Sequence, residues 1–226
     1  MADKWVGEEP ELTSPYYPYR KVVEADTLAG LEQIPYKLCR YLMDLPDGNG
    51  YVPPESNKFP RARLKKLLYW DTPLPLKQPL PTPQQMRQLF FDPENPDRPP
   101  DPDRGYRLFP QNTVQQSIAN SKSLVRVYLG DASSWERSGQ FITRQTVMFD
   151  VVVNVGIESN TGMTASSRAY DILQCIIESI AGVNFGGIGP LALRQITKID
   201  DERYNLGYKI YCYIDWSGDA PNPYFI

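Results

Sequence analysis

The sequence predicts an α+β fold: a β-β-α-β-β sheet packed on one amphipathic helix, with an N-terminal helix and a long proline-rich insertion. Three observations lead there. Residues 141–157 alternate apolar and polar side chains. Residues 164–181 carry an apolar stripe at helical spacing. And 14 of the 22 prolines fall between Pro53 and Pro110, while none falls between Gln111 and Gly189. The chain therefore divides into an irregular first half and a regular second half.

The elements follow in order. Residues 1–24 hold PELTSPYYPYR, where Tyr16, Tyr17 and Tyr19 interleave with Pro15 and Pro18. Such a stretch favours extended geometry and reads as an N-terminal arm. Residues 25–70 read as helical. Leu28, Leu31, Ile34, Leu38, Tyr41, Leu42 and Leu45 recur at steps of three and four over 26–45. Pro35 predicts a break inside that helix, and Leu45-Pro46-Asp47-Gly48 predicts its stop. A shorter helix over 61–70 would put Leu64, Leu67 and Leu68 on one face and a solvated basic face opposite. Residues 71–110 read as an extended, proline-rich insertion. It contains the adjacent pair Phe90 and Phe91, which water does not favour.

Residues 111–217 form the predicted α+β core. Strands are expected at 122–129, 141–157, 191–199 and 204–216, the last with a bulge at Gly207. In 141–157 the face bearing Phe141, Val147, Phe149, Val151, Val153, Val155 and Ile157 points inward. Arg144, Thr146, Asp150 and Asn154 meet water or a polar partner. The helix buries Ala169, Ile172, Leu173, Ile176, Ile177 and Ile180, with Thr164 as N-cap and Gly182 just past its end. Residues 218–226 form a C-terminal arm ending in Tyr224, Phe225 and Ile226.

Composition narrows the chemistry. The 226 residues contain no histidine, so neither a Ser-His-Asp nor a Cys-His set can exist, nor a His-ligated metal site. Cys39, Cys175 and Cys212 are too few for a four-thiolate zinc site and read as buried thiols. A net charge of −3 argues against a general nucleic-acid binder. The start, MADKWVGEEP, lacks the apolar centre of a signal peptide, and no apolar run is long enough to span a bilayer, so a soluble protein is expected.

Each remaining motif has a plain reading. GVNFGGIGP (182–190) follows a helix C-terminus rather than preceding an N-terminus, so it is a stop and turn, not a phosphate cradle. Asp92, Glu94, Asp97, Asp101 and Asp103 read as a solvated acidic loop, and Asp200, Asp201 and Glu202 as a hairpin turn. Arg194, Lys198 and Lys209 are expected to pair across strands with Asp150 and Asp215. Tyr211 and Tyr213, on the polar face of the last strand, suit contact with a neighbouring subunit or cover by the proline-rich segment. No catalytic, metal or cofactor-binding residues are expected. A hydrolase working through Asp150, Asp171, Glu178 and Asp215 is a minor alternative.

FITRQTVMFDVVVNVGIE, SSRAYDILQCIIESIAG and LRQITKIDDERYNLGYKIYCYIDW, together about 115–216, resemble the tail terminator (tail completion) and neck proteins of tailed bacteriophages. That resemblance implies a virion protein assembled in the host cytoplasm. It would form a homohexameric ring that ends the tail tube. Its partners would be copies of itself, the tail tube and sheath proteins, and the head-side connector, with DNA passing through the hole. The proline-rich insertion would serve neck-specific contacts. An adaptor that uses this insertion for protein interaction is the alternative. The candidate interface residues are Tyr16, Tyr17, Tyr19, Phe90, Phe91, Tyr211, Tyr213, Tyr224, Phe225 and Ile226.

Overall fold

The structure is a computed structural model that describes residues 28–43, 59–111, 123–137, 140–154, 167–181, 191–201 and 205–218. Both arms, the 45–48 turn, Thr164 and the 182–190 loop lie outside the described residues. The elements are α1 (Leu28–Met43), α2 (Pro60–Tyr69), a 3-10 turn (Pro75–Lys77), α3 (Pro83–Leu89), β1 (Leu108–Phe109), β2 (Ser123–Arg137), β3 (Gln140–Asn154), α4 (Arg168–Ile180), β4 (Ala192–Asp201) and β5 (Asn205–Gly218).

The five strands form one mixed sheet in the order β1-β2-β3-β5-β4. β1 runs parallel to β2, and every other neighbouring pair is antiparallel. β3 and β4 therefore point the same way with β5 between them. The connection between them carries α4 across one face, as parallel strands require. The core lies on that face. Val125, Val127, Val147, Phe149, Val151, Val153, Ile210, Cys212 and Ile214 meet Ala169, Ile172, Leu173, Ile176 and Ile180 of α4, and the buried side chains of α1 and α2. The α+β expectation holds, and all three cysteines are free and buried.

Several local expectations are corrected. α1 runs unbroken through Pro35. A mid-helix proline costs about 3 kcal/mol, which burial of Ile34, Leu38, Cys39, Leu42 and Met43 offsets. The basic side of α2 is not solvated. Lys65 and Lys66 are buried, Lys66 Nζ donates to the Leu76 carbonyl, Arg63 pairs with Glu178, and Arg61 lies 4.3 Å over the Tyr41 ring. The N-cap of α4 is Ser167, whose hydroxyl accepts the Tyr170 amide at 3.3 Å. β5 has no bulge at Gly207. The bulges lie between Leu129 and Ala132 in β2 and between Leu193 and Gln195 in β4. Gly207 is needed for closeness instead: a Cβ there would sit 2.0 Å from the Val151 carbonyl oxygen.

The 71–110 segment is not an extended insertion. It holds the 3-10 turn, α3 and β1, and α3 opens with a capping box in which Thr82 and Gln85 satisfy each other's backbone amides. The acidic stretch is solvated only in part: Glu94, Asp97 and Asp103 are exposed, but Asp92 and Asp101 are buried. Asp92 accepts the Glu94 amide and the Asn95 side-chain amide. Asp101 accepts the amides of Asp103 and Arg104. These two buried carboxylates fold the turns around them. Gly105 completes the second turn at φ 67°, where a side chain is strained.

Three arginines tie this segment to the rest. The last carbonyls of α2 have no partner within the helix. Arg168 Nη1 donates to the carbonyls of Leu67 (3.2 Å) and Trp70 (2.8 Å), and Nη2 to that of Thr72 (2.5 Å). Arg107 Nη1 donates to Leu68 (3.2 Å), and its guanidinium forms a bidentate pair with Asp71, 2.8 Å on each side. Arg104 Nε donates to Tyr69 at 2.8 Å. Arg107 and Arg168 are both 0 % exposed.

Two outcomes follow. Arg168→Met should lower unfolding free energy by about 3–5 kcal/mol, because three carbonyls at the negative end of α2 lose a charged donor; urea titration measures it. Gly207→Ala should cost at least about 1–3 kcal/mol, since backbone rather than a flexible side chain must yield.

Candidate assembly surfaces

Period-two alternation gives the sheet a second face, away from the helices. On it the register places Arg126, Asp150, Lys209 and Thr197 in one row across β2, β3, β5 and β4. The next row holds Tyr128, Met148, Tyr211 and Gln195. Cross-strand neighbours at this spacing interact directly. Asp150, 1 % exposed, accepts Arg126 Nη2 at 2.8 Å and the Tyr128 hydroxyl at 3.1 Å, with Lys209 Nζ at 3.6 Å. The expected cross-strand pairing thus holds for Lys209 and Asp150. Asp150 itself is buried rather than facing water, because two cations and a hydroxyl enclose it. Arg194 is exposed on β4. Burial and Asp150 raise the Tyr128 hydroxyl above the ordinary tyrosine range. For Lys209, burial alone would lower it, but the Tyr128 hydroxyl and Asp150 more than offset this and raise it.

One end of this face is roofed by the proline-rich segment. Phe109, Leu124 and Val152 form a small second core under Phe91, Tyr106 and Ile199. The Phe91 ring meets Tyr106 edge-on at 5.4 Å and stacks on Phe109 at 5.9 Å. Phe90, its neighbour, is 1 % exposed in the main core on the other side. The adjacent phenylalanines therefore straddle the sheet, one to each face. Phe90 is therefore a core residue rather than an interface residue, and Phe91, half-buried, packs on its own chain.

Tyr211 and Tyr213 lie further along the same face and are half-buried; the Arg144 guanidinium sits 4.0 Å over the Tyr213 ring. Tyr16, Tyr17, Tyr19, Tyr224, Phe225 and Ile226 lie outside the described residues. Between α1 and the proline-rich segment is a polar cavity of about 170 Å³ lined by Tyr36, Arg40, Arg87, Asp92, Glu94 and Arg98, among others. Its charges are largely matched internally. Tyr36 donates to Glu94 at 2.8 Å, Arg40 donates to the Tyr36 hydroxyl at 3.3 Å, and Arg98 lies 3.3 Å from Asp92. Burial and then Glu94 push the Tyr36 hydroxyl up to about 12.

The surface that sequence reasoning missed is at the β4 end. Leu193 is 48 % exposed, Ile196 40 % and Tyr170, on the first turn of α4, 47 %. Tyr170 meets the half-buried Tyr208 ring edge-on at 6.2 Å. Leu193 and Ile196 are three apart, an odd spacing that breaks strand alternation. The β4 bulge between Leu193 and Gln195 restores both to the helix-bearing face, at the sheet's end. The odd spacing was the available signal.

A family model named YomW matches residues 62–214, more than half of the chain, and the chain belongs to the YomW family. The name is that of an SPbeta-type prophage protein and points to a phage origin. The match runs from α2 to β5 and includes the whole proline-rich segment. No curated protein matches the chain.

The titrations above set a pH dependence. Burial raises the three thiols: Cys39 well above its usual value, Cys175 to about 11 and Cys212 to about 12. The folded state thus keeps protons that the unfolded chain releases from about pH 8.5 upward. Raised Tyr128 and Lys209 act with the same sign at higher pH, both favouring the protonated folded form. With no histidine, stability should be nearly flat from pH 6 to 8. It should then fall by about 4 kcal/mol per pH unit above pH ~9, one proton from each thiol. Urea midpoints across pH 6–10.5 measure this, and Cys212→Val should remove about a third of the slope.

Proposed function

We propose that this chain is a structural protein of a phage neck or tail. Copies surround an axis, sixfold as in the terminator proteins it resembles. The ring ends the tail tube, offers a surface to the head-side connector and lets DNA pass through its hole. The observation that carries this reading is the β4 edge, which among the described residues pairs only with β5 and leaves Leu193 and Ile196 exposed, on a chain whose family name points to a phage origin. Large apolar side chains left exposed on an edge strand mark an association surface.

The disposition of carboxylates supports assembly over hydrolysis. Asp150 faces away from the helices, whereas Asp171 and Glu178 belong to α4 on the opposite side. A two-carboxylate hydrolase needs both groups in one cleft. The half-buried Tyr211 and Tyr213 offer a second surface, suited to the tube or the connector because tyrosine buries area and keeps a hydroxyl.

The purified full-length protein should scatter light as a closed oligomer near six times its 25.8 kDa mass. Electron microscopy with tail tubes present should show it at one tube end. A chain that stays monomeric and never joins tubes or virions would refute the reading.

A further inference from the structure

A cyclic ring needs two unlike patches on each subunit, each complementary to the other. Among the described residues the sheet has two unlike open edges. At one end, β4 pairs among the described residues only with β5, which leaves its outer backbone edge without a described strand partner. At the other end, β1 covers β2 only at Val125 and Arg126. From Val127 onward, no strand among the described residues pairs with the outer edge of β2.

We propose that neighbouring copies join by strand-edge pairing, β4 of one copy laddering antiparallel onto the outer edge of β2, beyond Val127, of the next. This rests on the ring reading above and names its seam.

Strand polarity favours that occupant. β2 and β5 run one way, β3 and β4 the other. A copy placed beside the first in the same orientation presents β2 next to β4, and the two run antiparallel. The alternation of the sheet then continues without a break from subunit to subunit. Charge agrees as well. Exposed Arg194 lies on β4 and exposed Asp131 on β2. The two edges therefore attract each other, whereas twofold pairing of β4 with itself leaves Asp131 unused. The apolar pair Leu193 and Ile196 would be covered by the incoming strand and its flank. A strand edge left bare beside such residues is a standing aggregation template unless an intended partner occupies it.

The seam can be read by cysteine cross-linking in the full chain, because Cys39, Cys175 and Cys212 are buried and do not compete. Thr197→Cys is combined in turn with Asp131→Cys, Ala132→Cys and Ser133→Cys to cover the possible registers. At least one double variant should oxidise to a ladder of multimers on a non-reducing gel, while each single variant runs as a monomer band. Separately, Ile196→Asp should weaken assembly by at least about tenfold with the melting temperature little changed, since that side chain is already exposed. Covalent dimers from Thr197→Cys alone would show twofold β4 pairing and overturn the proposal. So would intact rings in the microscope with no ladder from any double variant, which would leave the ring reading standing. A chain that forms no ring and no ladder overturns both.

Discussion

The C-terminus of α2 ends inside the protein, where its final carbonyls cannot reach water. Leaving buried acceptors unpaired costs about 1–3 kcal/mol each, so the fold must bring donors to them. It brings three guanidinium groups from distant points in the chain. Arg104 and Arg107 come from the proline-rich segment, and Arg168 from the first turn of α4. Together the arginines fix two elements, the proline-rich segment and α4, against the same helix end. Arg107 also reaches Ser123 at the start of β2 and Asp71 just past α2, so one side chain joins helix, proline-rich segment and sheet. A basic residue at the first position of α4 is unfavourable for that helix's own dipole. Arg168 is stabilised there by the opposite pole of α2.

That knot explains why the proline-rich segment is ordered around its own chain. It has little repetitive hydrogen bonding of its own, and prolines remove further donors. What it has are side chains that point to alternate sides of the sheet edge: Phe90 and Leu108 into the main core, Phe91 and Phe109 into the small second core. The Phe90–Leu108 bridge holds the two stretches side by side, and the Phe91 amide donates to the Leu108 carbonyl at 2.9 Å. The segment thus works as a clip over one corner of the sheet.

Much of the fold was legible in the sequence because its signals are periodic. The alternation of Val147, Phe149, Val151 and Val153 and the stripe of Ile172, Ile176 and Ile180 state their own faces. Strand order, and hence which strand is an edge, is not periodic information, so the exposure of Leu193 and Ile196 was hidden. The roles of Arg104, Arg107 and Arg168 were hidden for a related reason. Their partners are backbone carbonyls, which every residue carries and no residue type advertises. Lys65 and Lys66 looked like a wet face because burial of a lysine depends on a distant acceptor, here in part the Leu76 carbonyl. Of the site, Lys209 with Asp150 was readable from alternation and charge, while Phe90 misled. Two adjacent apolar side chains fit opposite faces of an edge as well as they fit a partner.

The clip and the open edges are connected. β1 is two residues long, and Pro110 follows it directly. Proline has no amide to donate and ends a ladder. Had β1 continued, it would have covered β2 along its length and closed that end of the sheet. Its short span instead guards the stretch of β2 next to the arginine knot and leaves the rest without a strand partner among the described residues. The prolines of this segment therefore act at two levels. They keep the segment from joining the sheet as a full strand, and by doing so they determine how much of β2 remains available to another chain.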